Sequence, residues 1–422
     1  MIRKLSGPAA LLLAVALALA GCYGEAAPAP DKPEPAGAGT GTGAEVPKPE
    51  PPGQKTPEPP EPVIPPPAEA VLIAAGDVMM HTPQLPGAYD SDTGKYDFTG
   101  FFRPVKSILT EADWAVVNLE TPMAGDERGF HGYPRFNAPE ALADALADAG
   151  FDVVSTANNH ALDQGTNGLV RTLNALRGRG LHPIGTADTE EASREIAMIE
   201  KNGIVAAFLS YTYGTNGIPV PKDKPYLVNL IDEANIANDI ARARQLGADL
   251  VSVSLHFGNE YERQPNEAQR ELARSAIAAG ADLIIGHHPH VVQPYEWIQV
   301  ADQHHHLRKG LAIYSLGNFI SNQFGGYKEF GAMLKVRIVK EYHADGTASA
   351  SIAEIDAMPT WVHKYMSGGK YRYRILSLDD VAQANDDQLM TSRTWSMLAE
   401  ETMAMNAHLD SLAKEADTLP LR

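Results

Sequence analysis

One pattern recurs four times along the chain and restricts its fold more than any other feature. An Ala-rich amphipathic segment ends near a Gly or acidic residue, then an Asp opens a short apolar run that closes in polar residues. The instances are "TEADWAVVNLE" ending at Glu120, "ADAGFDVVSTANNH" ending at His160, "QLGADLVSVSLHFGNE" ending at Glu260 and "AAGADLIIGHHPH" ending at His290. Short apolar runs that follow segments of helical periodicity read as buried parallel strands of an α/β protein, because strands covered on both faces need no polar alternation. A further run, "VLIAAGD" ending at Asp77, has no helix before it but closes in the same way.

The carboxyl ends of these runs carry Asp77, then Asn118 and Glu120, then Asn159 and His160, then His256, then His288 and His290. Ligands of α/β folds bind outside the carboxyl ends of the strands, so five strand ends are expected to deliver these groups to one edge of one sheet. Each alone is weak: an Asp after a strand commonly caps a helix, and "NNH" by itself is a plausible turn. Together they share a chemistry. Carboxylate, amide and imidazole donors without sulfur suit Mn, Fe, Zn or similar divalent ions. Their number exceeds what one tetrahedral ion needs, which favours two ions that clamp and activate a water. In "LIIGHHPHVVQ" three histidines, His287, His288 and His290, follow an apolar run fit for a buried strand, where imidazoles are a poor choice for filling a core.

The chain ends bear on location and partners. "MIRK" followed by "LLLAVALALAGC" has the layout of an export signal over residues 1–22, and Leu19-Ala20-Gly21-Cys22 resembles the bacterial lipobox, which implies acylation at Cys22. Cys22 is the single cysteine, so no internal disulfide and no thiolate metal site is possible. Residues 23–67 are dominated by Pro, Gly, Glu, Ala and Lys and read as a solvated tether. The expected organisation is therefore a lipid anchor in the bacterial cell membrane, a tether, and an outward-facing exported domain over 68–375, with terminal helices over 376–422. A formal net charge of −18 argues against nucleic acid, which is bound through clustered Lys and Arg. An anionic substrate would have to be attracted by a metal or a local basic patch.

"AAGDVMMH", "VVNLETP", "FDVVSTANNHALDQG", "SLHFGNEYE", "DLIIGHHPHVVQPYE" and "YSLGNFISN", in this order, resemble the CapA (poly-γ-glutamate capsule synthesis) family of the calcineurin-like metallophosphoesterase superfamily. The resemblance covers roughly Ala70 to Asn322 and implies a four-layer α/β/β/α sandwich, two metals at the sheet edge, and hydrolysis by a water they activate. Carried over position by position, it makes Asp77, Asn159, His256, His288 and His290 metal ligands, Glu120 the bridging carboxylate and His160 the catalytic imidazole; only the His-x-His spacing of His288 and His290, held in alternation by Pro289, matches, which leaves His287 the bystander. Asp163 either orients that imidazole or caps the helix "GTNGLVRTLNALR". The chain departs from the superfamily twice: Asp77-Val78-Met79 stands where Asp-x-His is usual, and Glu120 where an Asp is usual. His81, two residues beyond Met79, reads as a surface turn residue.

Further candidates lie on the loops. Asn118, Arg135, Asn137, Glu260 and Asn318 are expected to contact substrate, and Asn318 is also placed to hydrogen-bond the metal site. Tyr211 and Tyr213 fit core or cleft wall, and His304-His305-His306 fits a hairpin tip. The resulting expectation is a divalent-metal-dependent hydrolase of the cell envelope, acting on an ester or amide bond of an anionic polymer such as poly-γ-glutamate or of a small anionic metabolite. The alternative is a non-catalytic, polymer-binding component working with membrane synthase or export proteins.

Overall fold

The computed structural model describes residues 64–302, 304–384 and 387–413. The lipobox at Cys22 and most of the tether fall outside the described residues, and the fold begins with strand β1 (Ala68–Val78). In the first large sheet β1 runs parallel to β4 (Trp114–Leu119), which is followed by β5 (Val153–Ser155) and β6 (His182–Ile184). On its other side β1 pairs antiparallel with β14 (Phe330–Tyr342), followed by β15 (Ala348–Ser367) and β16 (Lys370–Ser377), while β13 (Asn318–Ile320) lies beside its end. The second sheet contains β7 (Ala197–Lys201), β8 (Ile204–Thr212), β9 (Leu250–His256), β10 (Leu283–His287), β11 (Val292–Ala301) and β12 (Leu307–Leu316). Its order is β11-β12-β10-β9-β8-β7, parallel from β8 to β12 across its centre. A two-stranded ribbon, β2 (Tyr89–Asp90) with β3 (Lys95–Tyr96), stands apart.

The four recurring runs are strands β4, β5, β9 and β10, all parallel to their neighbours. They divide between two sheets, which corrects the expectation of one sheet edge: an apolar run shows that a strand is covered on both faces, not which sheet covers it. Alternate side chains explain the layers. Leu72, Ala74, Trp114, Val116 and Val153 of the first sheet meet Ile204, Phe208, Leu283, Ile285 and Ile313 of the second. Ile73, Ala75, Val117 and Val154 point the other way, onto Phe102 and the helix Ala141–Ala149. Val251, Val253, Ile284 and Ala312 do the same for the helices Glu233–Gln245 and Glu267–Ala279. The result is the four-layer α/β/β/α sandwich. Fully burying each of these Val, Leu, Ile or Phe side chains is worth about 1.5–3 kcal/mol.

The Asp that opens each run sets the strand register. Asp113, Asp152, Asp249 and Asp282 accept from the backbone N–H of Val71, Ala115, Val205 and Val251 at 2.8–2.9 Å, each at the start of the neighbouring strand. Each Asp also donates its own N–H to the carbonyl of the same residue. A two-way clamp at one end of each strand fixes which residues emerge at the other end. There Ser155 and Ser210 hydrogen-bond across the sheets at 2.7 Å, where small polar side chains replace the apolar core. The terminal helix Ser392–Leu409 closes one end of the inter-sheet core with Leu398, Met405 and Leu409.

Candidate metal centre

Two glycines allow the strand ends to converge. A Cβ on Gly76 would lie 2.0 Å from the carbonyl oxygen of Gly317, and one on Gly286 would lie 1.9 Å from that of Tyr314. Only glycine tolerates these approaches, which set Asp77 and His287 at the ends of their strands. Beyond β10 the chain does not continue in extended alternation. His288 and His290 both have positive φ, 98° and 58°, a conformation costing a non-glycine residue on the order of 1–3 kcal/mol. Pro289 separates them, and its carbonyl accepts from Tyr261 N–H at 2.7 Å.

The side chains gather in a buried cluster drawn from both sheets. Asp77 accepts from Asn118 Nδ2 at 2.8 Å, and its two oxygens lie 3.2 Å from His287 Nδ1 and 3.2 Å from His290 Nδ1. Burial acts to raise the Asp77 carboxyl, but the bonding and charge of His287 and His290 outweigh it and hold the group well below the usual carboxylate range. Glu120 is fully buried, with Oε1 3.5 Å from His256 Nε2 and 3.8 Å from His290 Nε2. Neither Glu120 oxygen makes a hydrogen bond. Burial, followed by the negative charge of Asp77, pushes this carboxyl well above its ordinary value.

Burial holds His256 well below its ordinary value and brings His288 down to about 4, with the neighbouring His288 and His290 charges adding in the same direction. Nδ1 of His256 and of His288 each lacks a hydrogen-bond partner in a buried setting. Buried carboxylate and imidazole lone pairs without donors are costly unless a cation takes them. Three sets of donor atoms each lie close enough together to hold one ion: Glu120 with His256 and His288, Asp77 with Glu120 and His290, and Glu260 with His288 and His290. The residues present therefore fit a divalent metal. Glu120 belongs to the first two sets.

Asn159 places Oδ1 3.2 Å from His256 Nε2 and bonds the Tyr213 hydroxyl, so it lies on the same cluster. His160 is buried beside it, with Nδ1 2.7 Å from Asp163 Oδ2, which also accepts from Phe136 N–H at 2.7 Å. Asp163 thus faces the imidazole, while the helix Gly165–Arg177 starts from Gln164 without a side-chain cap. Asn216 Nδ2 lies 3.4 Å from His160 Nε2, an arrangement that fits the tautomer protonated at Nδ1.

The loop candidates fare unevenly. Asn118 is fully buried and uses its amide on Asp77 and Asn158, which corrects its assignment to substrate. Asn137 donates to the carbonyls of Gly125 and Gly129 and accepts from Ala124 N–H. It has no group left for substrate, because the loop it sits in needs all of them. Asn318 donates to the His290 carbonyl and supports that loop from behind. Arg135 and Glu260 are exposed at the rim. His287 is no bystander, since its buried ring presses on Asp77. His81 is not a free surface residue either: Nδ1 accepts from Asn322 N–H at 3.3 Å, its ring meets Phe136 edge-on, and burial brings it down to about 4. Asn158 went unassigned in the sequence, yet it links the Leu119 carbonyl, Asn118 and the His160 N–H. The "NNH" triplet was the available signal. Tyr213, half exposed, covers His288 at 4.7 Å between ring centroids, whereas Tyr211 is core and bonds Asp239. The His304–His306 segment forms the turn of the β11–β12 hairpin.

Comparison with known proteins adds an independent finding. The family model described as bacterial capsule synthesis protein PGA_cap matches residues 71–323. The capsule biosynthesis protein CapA of Bacillus anthracis is 30% identical over 258 residues, covering 59% of this chain and 59% of that protein. The PGA biosynthesis protein CapA of Bacillus subtilis (strain 168) is 30% identical over 287 residues, covering 67% and 70%. The chain therefore spans less than two thirds of the first of these relatives. Among solved structures, the calcineurin-like phosphoesterase YfkN from Bacillus subtilis is similar with a TM-score of 0.40 and 14% identity, covering 82% of this chain and 99% of that one.

Proposed function

The chain belongs to the bacterial capsule synthesis protein family PGA_cap, and from that premise we propose that it serves poly-γ-glutamate capsule synthesis as a divalent-metal-dependent hydrolase. Its substrate is an ester or amide bond of the anionic polymer. In this reading the domain is exported, held to the cell membrane through Cys22, and works beside membrane synthase or export proteins. The observation that carries the proposal is Glu120, a fully buried carboxylate with no hydrogen bond, ringed by His256, His288 and His290. A carboxylate in that position destabilises the fold unless a cation neutralises it.

Asp77, Glu120, His256, His288 and His290, with Asn159, would hold the metal, and Glu120 is common to two of the donor sets. A bound divalent ion would supply Lewis acidity toward the scissile carbonyl oxygen and lower the pKa of water. The remaining steps fall to the protein. His160, whose Nδ1–H is held by Asp163, takes a proton from solvent at Nε2 and passes it to the leaving group. His287 and Asn118 fix the Asp77 carboxylate. Tyr213 and Tyr261 wall the opening over His288 and His290.

A second reading, polymer binding without turnover, draws on Met79, which is buried where the superfamily places a histidine ligand and offers only a weak thioether donor. Turnover of γ-glutamyl polymer by the metal-loaded protein, with His160→Ala as control, separates the two. Metal-dependent cleavage lost in His160→Ala supports the hydrolase. Tight polymer binding without any cleavage supports the binder.

A further inference from the structure

The segment 321–329 leaves β13 beside Asp77 and returns in β14; it carries Lys328, and Lys364 of β15 reaches it at Asn322. Lys328 lies 5.0 Å above the Tyr261 ring, whose centroid is 6.1 Å from that of His290. Its backbone carbonyl accepts from Asn318 Nδ2, the same amide that supports the His290 carbonyl. Lys364 donates to Asn322 Oδ1 at 2.9 Å, and Asn322 N–H reaches His81 beside Phe136 and His160. Lys364 is walled by the rings of Tyr371, Tyr373 and Phe324 at 4.3, 5.6 and 5.2 Å. Neither lysine forms an ion pair among the described residues, although the chain carries 53 acidic against 35 basic residues. Other basic residues of the domain do pair, as in Lys335 with Glu111, Lys340 with Asp249 and Arg244 with Asp282.

Aromatic rings hold an ammonium group in place without neutralising it. Lys328 adjoins the cluster through Tyr261 and Lys364 connects toward it through Asn322 and His81, and both ammonium groups remain available for an incoming anion. Phe324 and Tyr371 beside Lys364, and Tyr261 beside Lys328, are 37%, 47% and 48% exposed, so apolar surface lies open next to each charge. A chain that alternates carboxylates with short methylene spacers matches that surface, since its carboxylates meet the lysines and its spacers the rings.

We propose that Lys328 and Lys364 form a carboxylate-binding ledge along 321–329 that draws an acidic polymer across the metal centre. The ledge rests on the proposed function for its choice of carboxylate over phosphate. It assigns the two lysines to substrate capture and register, with no part in the chemical step.

The test is fluorescence anisotropy of labelled poly-γ-glutamate with the full chain, comparing wild type, Lys328→Gln/Lys364→Gln and Lys328→Arg/Lys364→Arg, with divalent metal uptake and melting temperature measured in parallel. Exposed ion pairs are worth up to about fivefold each, so the double Gln variant should bind roughly tenfold more weakly, with a flatter salt dependence and unchanged metal uptake. The double Arg variant should stay within about twofold of wild type, because the charge is retained. Binding by the double Gln variant equal to wild type overturns the ledge, as does a double Arg variant as weak as the Gln one, or a wild type that does not bind. Displacement by polyphosphate at lower concentration than by unlabelled poly-γ-glutamate overturns the carboxylate assignment. Intact lysine-dependent binding without any cleavage leaves the ledge standing and counts against the hydrolase instead.

Discussion

Replacing Glu120 by Gln should change the protein in opposite directions with and without metal. Glu120 is fully buried, makes no hydrogen bond, and has its carboxyl pushed well above the ordinary range by burial and by Asp77. Its folded pKa therefore exceeds its unfolded one. In the metal-free protein the associated stability is present at low pH and is lost as pH rises through the folded value. Glu120→Gln removes that loss, so the metal-free variant should melt at or above the wild-type temperature at pH 8, with a flatter dependence on pH. Metal reverses the ranking. At a free ion concentration of about one hundred times the dissociation constant, binding stabilises wild type by about 2.7 kcal/mol. At about 2 °C per kcal/mol for a domain of this size, this is a rise of roughly 5 °C. The variant loses the carboxylate shared by two of the three candidate donor sets and should rise by less than about 1 °C under the same conditions. The assay is a thermal melt of EDTA-treated protein, titrated with Mn²⁺ or Zn²⁺. A Glu120→Gln melt that rises with metal as far as wild type would refute the bridging assignment.

Other expectations follow from the same geometry. His160→Ala should leave metal uptake intact while lowering turnover by about 10²–10⁴-fold, the usual range for a lost proton donor; uptake lost together with turnover would make His160 a ligand instead. Asp152→Ala leaves the Ala115 N–H without its 2.9 Å acceptor and should cost about 1–3 kcal/mol in chemical denaturation, with an unchanged midpoint contradicting the register clamp. Gly286→Ala drives a Cβ to 1.9 Å from the Tyr314 carbonyl and should cost at least about 3 kcal/mol, read as a lowered melting temperature or loss of soluble protein. Burial and the Arg374 charge bring His363 down to about 4. The unfolded chain therefore takes up its proton first, and stability should fall as pH drops from the ordinary histidine range toward 4. In His363→Gln that decline should be measurably shallower in denaturation at pH 7, 5 and 4.

Much of the fold was legible because the recurring unit carries its own logic. Its Asp clamps the neighbouring strand at one end, its apolar residues fill both faces, and its last polar residues emerge at the other end. The assignment of those strands to two sheets was not legible, since Val116 and Ile285 meet across the interface while nothing in either run names its partner. At the site, residue type identified the donors but not their aim. Asn118 and Asn137 look alike in the sequence to an amide that faces substrate, yet their neighbours' unpaired backbone and carboxylate groups claim them first. His287 was set aside because spacing alone favoured His288 and His290. The left-handed backbone of those two residues, which only the fold imposes, turns the extended reading of "HHPH" into a loop that leaves His287 on Asp77. His81 looked like a turn residue because its contacts come from Asn322 and Phe136, far away in the chain.

The central claim is that the buried carboxylate and imidazole cluster exists to hold divalent metal. The most direct measurement is anomalous diffraction from crystals of the domain grown with Mn²⁺. The account expects a peak within about 2.0–2.3 Å of a Glu120 oxygen and of imidazole nitrogens from His256, His288 or His290. Full-occupancy Mn²⁺ elsewhere on the protein with none in this cluster, or no bound ion at saturating concentration, would contradict it.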